Sequence, residues 1–142
     1  MSINPIEIIN FVRDLKNTLK TSNPYEIAEY YGICVLERNF MPIYPAVCHK
    51  LEQYPTIIAI DSRYDDFSKK VLCGHELAHA LLHANFMNTY GTSASTAFEP
   101  KEYEANLFAI ALLSDDDEFI NELPAYTGFQ LKAIMDNNIH LV

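Results

Sequence analysis

The sequence predicts an α+β fold: N-terminal helices, a small antiparallel sheet of about three strands, and a metal site held between two helices. Three observations carry this expectation. Apolar residues recur at helical spacing over residues 6–19, 64–83 and 100–113. Between the first two of these stretches lie a short β-branched run and two more candidate strands. The second stretch also contains His75-Glu76-Leu77-Ala78-His79, whose imidazoles a helix would bring onto one face.

The first helix rests on Ile6, Ile9, Phe11, Val12, Leu15 and Leu19, with charges between them. Ser22-Asn23-Pro24 ends it and starts another, with Asn23 as N-cap and Pro24 at the first helical position. That second helix is short, from Pro24 to about Tyr31, and Gly32 stops it. The strands are expected at Ile33–Leu36, Ala46–His49 and Thr56–Ile60. Leu51 to Pro55 would turn the last two into an antiparallel hairpin. A long helix follows from about Tyr64 to His83, then a polar loop from Ala84 to Phe98, then a helix from near Pro100 to about Leu113. Asp115, Asp116, Asp117 and Glu118 precede a last helical stretch and favour its N-terminus. They read as a solvated acidic surface, since the Gly and the final Glu of a calcium loop are missing.

With 142 residues, 49% of them hydrophobic, the chain is expected to form one domain over residues 1–142 with a core of its own. The net charge of −9, without a Lys/Arg run, argues against direct nucleic-acid binding. Cys34, Cys48 and Cys73 are odd in number, widely spaced and set among apolar neighbours, so buried free thiols in a reducing cytoplasm are expected. Residues 1–10 lack the basic start and apolar run of a signal peptide, and no stretch has the length of a membrane span. The oligomeric state is not legible.

His75 and His79 are four residues apart, an advance of about 6 Å and a little over one turn. Both imidazoles can therefore share one metal ion. Glu76, rotated by about 100° from His75, can approach a metal-activated water without being a ligand. Two imidazoles and a carboxylate suit Zn2+, leaving one position for water, with Glu76 as the catalytic acid/base. No His stands six residues beyond His79, where Asn85 is found, so the third ligand must come from elsewhere, and the next helix offers the better candidate. Glu102 is preferred there. Asn106 lies one turn on and can accept a hydrogen bond from a ligating imidazole, and the small Ala105 lets the helices approach. Glu104 is the rival, but it is displaced by about 200° and would point outward if Glu102 points in. Glu99 is a weaker rival in the preceding loop.

His83 continues the face of His79 one turn later and is read as a supporting or helix-end residue. His49 beside Cys48 is not a zinc site, Cys73 is a core thiol, and His140 is expected to be exposed. Of the tyrosines that could donate to an oxyanion, Tyr54, Tyr90 and Tyr103 among them, Tyr90 is singled out because it lies between the two metal helices. The hairpin of residues 46–60 would supply an edge onto which a peptide substrate adds as a strand.

The run from His75 to His83, followed by Glu102, Ala105-Asn106, Phe108-Ala109 and Leu112-Leu113, resembles the ImmA/IrrE family of metallopeptidases. So does the hairpin that ends in Ile57-Ile58-Ala59-Ile60-Asp61. The resemblance covers roughly Pro24 to Leu113 and is strongest in the two helices. It implies a zincin-like site with His75, His79 and Glu102 as ligands and Glu76 as the catalytic residue. It further implies a protein substrate, a helix-turn-helix transcriptional repressor whose cleavage derepresses genes, often in a phage or integrative element. The alternative it carries is a zinc-binding regulator, or a toxin–antitoxin component, that acts on a repressor by contact alone. Ser114-Asp115-Asp116 follows the Leu-Leu pair where relatives have Met-Pro or similar, and no helix-turn-helix segment of the chain's own is recognisable.

Overall fold

The computed structural model describes residues 4–51, 54–83, 88–89 and 99–142. Helix α1 (Pro5–Leu19) starts where the Asn4 side chain accepts from the Ile6 N–H, with Pro5 at the first position, and it ends at Lys20 in the left-handed region. Helix α2 (Pro24–Tyr30) repeats the device with Asn23 and Pro24, and Gly32 (φ 72°) turns the chain out of it. Strands β1 (Cys34–Arg38), β2 (Ala46–Leu51) and β3 (Tyr54–Asp61) follow, then α3 (Asp66–Leu82), whose N-cap Asp65 accepts from the Ser68 N–H. A two-residue strand, β4 (Asn88–Thr89), precedes α4 (Pro100–Leu113). The C-terminal stretch is broken into α5 (Asp117–Glu122), a 3-10 turn (Leu123–Ala125) and α6 (Gly128–Asn137). Asp116 caps α5, and Thr127 with Gln130 forms a capping box on α6.

The α+β class holds, but the sheet is mixed rather than antiparallel. Its order is β1-β3-β2-β4. β2 and β3 form the expected antiparallel hairpin, whereas β1 runs parallel to β3, from Cys34 opposite Ile57 to Arg38 opposite Asp61. The reason is the connection. Residues 39–45 carry the chain past the place of β3 before β2 begins, so β3 inserts between β1 and β2. Asp61 pins this crossover. Its buried carboxylate accepts from the Met41 N–H at 3.1 Å, from the Arg63 N–H, and from the Arg63 guanidinium at 2.7 Å. Arg63 in turn lies over the Phe40 ring, 4.5 Å from its centroid.

Two further expectations change. The hairpin does not present a free edge over Val47 and Cys48, because β4, in the segment expected to be a loop, pairs there. Cys34 is exposed, not buried, because β1 is an edge strand with four of its five residues in solvent; Cys48 and Cys73 are buried as expected.

The helices stack behind the sheet. α3 packs on β2 and β3, and α4 packs on α3, α1 and α6. α4 is enclosed, buried continuously from Glu104 to Leu112. Lys16 of α1 closes its C-terminal end by donating to the carbonyls of Ala111 and Ser114. Among the described residues, no helix is long and apolar enough to cross a membrane.

Candidate metal centre

α3 and α4 approach closely because small residues meet between them. A Cβ on Gly74 would stand 3.4 Å from the Cβ of Ala109, and Ala78 and Ala105 are fully buried. This short separation lets side chains of α3 and the first turn of α4 converge. His75 Nε2 lies 3.0 Å from Glu102 Oε2, His79 Nε2 lies 3.1 Å from Glu102 Oε1, and the two Nε2 atoms are 3.2 Å apart. His75, His79 and Glu102 are thus a group able to hold a metal ion. Both histidines are wholly buried, and the Glu102 side chain is 17% exposed, so the group opens toward solvent on the α4 side.

The arrangement calls for positive charge at its centre. The Nδ1 of His75 faces Asn106 Oδ1 at 2.8 Å, and an amide oxygen only accepts, so a neutral His75 carries its proton there. Its Nε2 is then the nitrogen turned toward Glu102. Burial holds the His79 imidazole down at about 4, despite the carboxylate of Glu102 beside it, so His79 is neutral at neutral pH. Burial alone would raise Glu102, but His75 and His79 outweigh it and keep that group ionised well below the ordinary range. Two imidazole nitrogens and a carboxylate that converge at 3.0–3.2 Å in a buried group suit a cation.

Glu76 stands beside this group without joining it. Its Oε2 is 3.8 Å from His75 Nε2. The residue is wholly buried, and neither carboxyl oxygen has a hydrogen-bond partner among the described residues. Burial, with a smaller contribution from Glu102, pushes its pKa well above the ordinary 4.5. A carboxyl so poised, next to three converging donors, has the properties of a proton acceptor and donor. Burial also pushes the Cys48 thiol, which feels the Glu76 carboxyl, up to about 12, and raises that of Cys73, so both stay protonated.

Glu104 does not point outward. It is buried, with Oε1 2.7 Å from His83 Nε2. The displacement of about 200° from Glu102 is real, but the far side of an enclosed helix is also interior. His83, at the C-cap of α3, leaves helical geometry and turns its Nδ1 to within 2.8 Å of His79 Nδ1. Lys50 of β2 donates to the carbonyls of His79 and His83 and so holds the end of α3 against the sheet. Neither Lys50 nor the inward Glu104 was legible from spacing. The four-residue step from His79 to His83 was the one signal for the latter pair. Glu99 is exposed at the N-cap of α4, His49 and His140 are exposed, and Tyr103 is half-buried on α4. Tyr90 lies outside the described residues.

The family model described as the IrrE N-terminal-like domain, Peptidase M78, matches residues 28–135. An uncharacterized immunity region protein of Bacillus phage phi105 is 37% identical over 111 residues, covering 74% of this chain and 66% of that protein. The chain thus spans just under two thirds of that relative's length. No solved structure matches the chain. With most of its length matched by the family model, and with both helices of the candidate site inside the match, the chain belongs to the ImmA/IrrE family of metallopeptidases.

Proposed function

We propose that residues 1–142 act as a single zinc-dependent endopeptidase domain in the cytoplasm, cutting a helix-turn-helix transcriptional repressor and thereby derepressing genes. The observation that carries the reading is the convergence of His75, His79 and Glu102 next to the buried Glu76, whose carboxyl has no hydrogen-bond partner among the described residues. Donors on a tetrahedral zinc with bonds of about 2.0–2.1 Å stand roughly 3.3 Å apart. The three donor atoms here lie 3.0–3.2 Å apart, close enough to share one ion, and a set of two imidazoles and one carboxylate supports zinc as that ion. The repressor as substrate is supported by the phage relative, whose name places it in an immunity region.

In this reading His75, His79 and Glu102 hold the metal, and Asn106 orients His75. When bound, the ion supplies the charge that activates water and polarises the scissile carbonyl. Glu76 takes a proton from the attacking water and returns it to the leaving amine. The burial that raises its pKa favours the neutral, proton-donating form that the second step needs. Tyr90 is proposed as the donor to the oxyanion; Tyr90→Phe should lower kcat with zinc content unchanged, and an unaltered kcat removes it from the mechanism.

The decisive experiment is Glu76→Gln. Metal analysis of the purified variant should find zinc at the wild-type level, and cleavage of the repressor encoded nearest the gene should be lost. Repressor inactivation that survives in the variant would replace proteolysis with regulation by contact.

A further inference from the structure

The two ligand-type imidazoles are held by different partners. His75 meets an amide oxygen, Asn106 Oδ1, which accepts and does nothing else. His79 meets another imidazole, with its Nδ1 2.8 Å from His83 Nδ1. Two facing ring nitrogens share one proton, and the pair alone does not decide which ring carries it. If the proton sat on His83, a neutral His79 would carry its own on Nε2, the atom turned toward Glu102 and His75.

The choice is made one ring further away. His83 Nε2 lies 2.7 Å from Glu104 Oε1, and a carboxylate accepts only. A neutral His83 therefore carries its proton on Nε2 and leaves Nδ1 as an acceptor. His79 must then donate from Nδ1, and its Nε2 keeps the lone pair that faces the centre. Both members of the support are buried, His83 at 6% exposure and Glu104 at 2%, so solvent does not provide a substitute.

We propose that Glu104 is a positioning residue that, through His83, fixes the tautomer of His79 and so makes its Nε2 available to the metal. The inference rests on the metal-centre reading, and its test reads metal binding rather than proteolysis. The probe is the Co2+-substituted full chain, whose ligating imidazoles give hyperfine-shifted, exchangeable N–H proton resonances, together with zinc affinity by chelator competition. Wild type should show two such N–H resonances, from Nδ1 of His75 and of His79. Glu104→Ala should lose one to solvent exchange, keep the other, and weaken zinc binding at least tenfold. His83→Phe preserves the ring volume and should give the same single loss, which keeps the test standing if the alanine variant does not fold. In a His83→Phe background, replacing Glu104 should cost no further affinity.

Two retained resonances with wild-type affinity in either variant would overturn the relay. So would an affinity loss from Glu104→Ala that is as large without His83 as with it, since Glu104 would then act by packing or charge alone. A wild-type chain that binds no Co2+ would instead remove the metal reading itself, and the relay with it.

Discussion

Gly74 of α3 faces Ala109 of α4 so closely that a Cβ on the glycine would lie 3.4 Å from the Ala109 Cβ and 3.6 Å from its Cα. The absence of a side chain at this point sets how near the two helices run, and hence whether Glu102 can reach His75 and His79. Gly74→Val should force the helices apart and destabilise the protein by about 1–3 kcal/mol through overpacking. Its larger effect should be on the metal, with affinity falling while the helical circular dichroism is retained. Gly74→Ala should be far milder, since the helical gain of about 1 kcal/mol for replacing Gly opposes a contact that is only slightly tight. Thermal melts and zinc titrations of the two variants measure both quantities.

Glu76 should destabilise the metal-free protein as pH rises. Its folded pKa stands well above 4.5 because of burial. The folded state therefore holds a proton that the unfolded state releases, and the stability linked to that proton is present below pH 4.5 and lost above it. Glu76→Gln removes the titration. In chelator-treated samples the variant should gain thermal stability relative to wild type at pH 8, with a smaller difference at pH 5. A pH-independent difference would contradict the burial argument.

Asp61 should show the opposite sign. Hydrogen bonds from Arg63 and Met41, chiefly the Arg63 side chain, hold its carboxyl near 2 against an ordinary 3.8. Its contribution is present above about pH 4 and lost as pH falls toward 2. Asp61→Asn is expected to cost about 1–2 kcal/mol at neutral pH, reduced from the full shift because the Arg63 side chain is 43% exposed. Denaturant unfolding at pH 7 and pH 3 should show the gap from wild type narrowing in acid.

Lys50 should matter more for the end of α3 than for the sheet that carries it. Its ammonium serves the carbonyls of His79 and His83 where the helix has no further N–H groups to offer. Lys50→Met keeps the apolar stem and should lose about 1 kcal/mol, discounted for partial exposure. Zinc affinity should fall with it, because His83 sits in the freed turn. Amide exchange should quicken at residues 79–83 while β2 stays protected.

The site was legible where one periodicity governs it. His75 and His79 share a face because α3 is regular, and Glu102 with Asn106 lie one turn apart on a regular α4. Asn23-Pro24 and the hairpin were legible for the same local reason. What escaped depends on neighbours distant in sequence. A helix wheel assumes one wet side and so turns Glu104 outward, but α4 has no wet side over Glu104–Leu112. The parallel pairing of β1 with β3 follows from a crossover fixed by Asp61, which no strand pattern encodes. The apolar residues around Cys34 promised burial, but an edge strand leaves it in solvent.

The enclosure of α4 gives the metal centre a second meaning. A slip of the helix by one residue would rotate it by about 100° and withdraw Glu102 and Glu104 together, one from His75 and His79 and the other from His83. Such a slip would also pull Leu107, Phe108 and Leu112 from their places in the core. Ligand geometry and core packing are thus the same degree of freedom, and the site forms or fails as a unit rather than one donor at a time. A bound ion would then serve as a certificate of folding: only a chain whose last large helix has locked into register could carry it, and a half-folded peptidase would be disarmed by the same misplacement that leaves it unfolded.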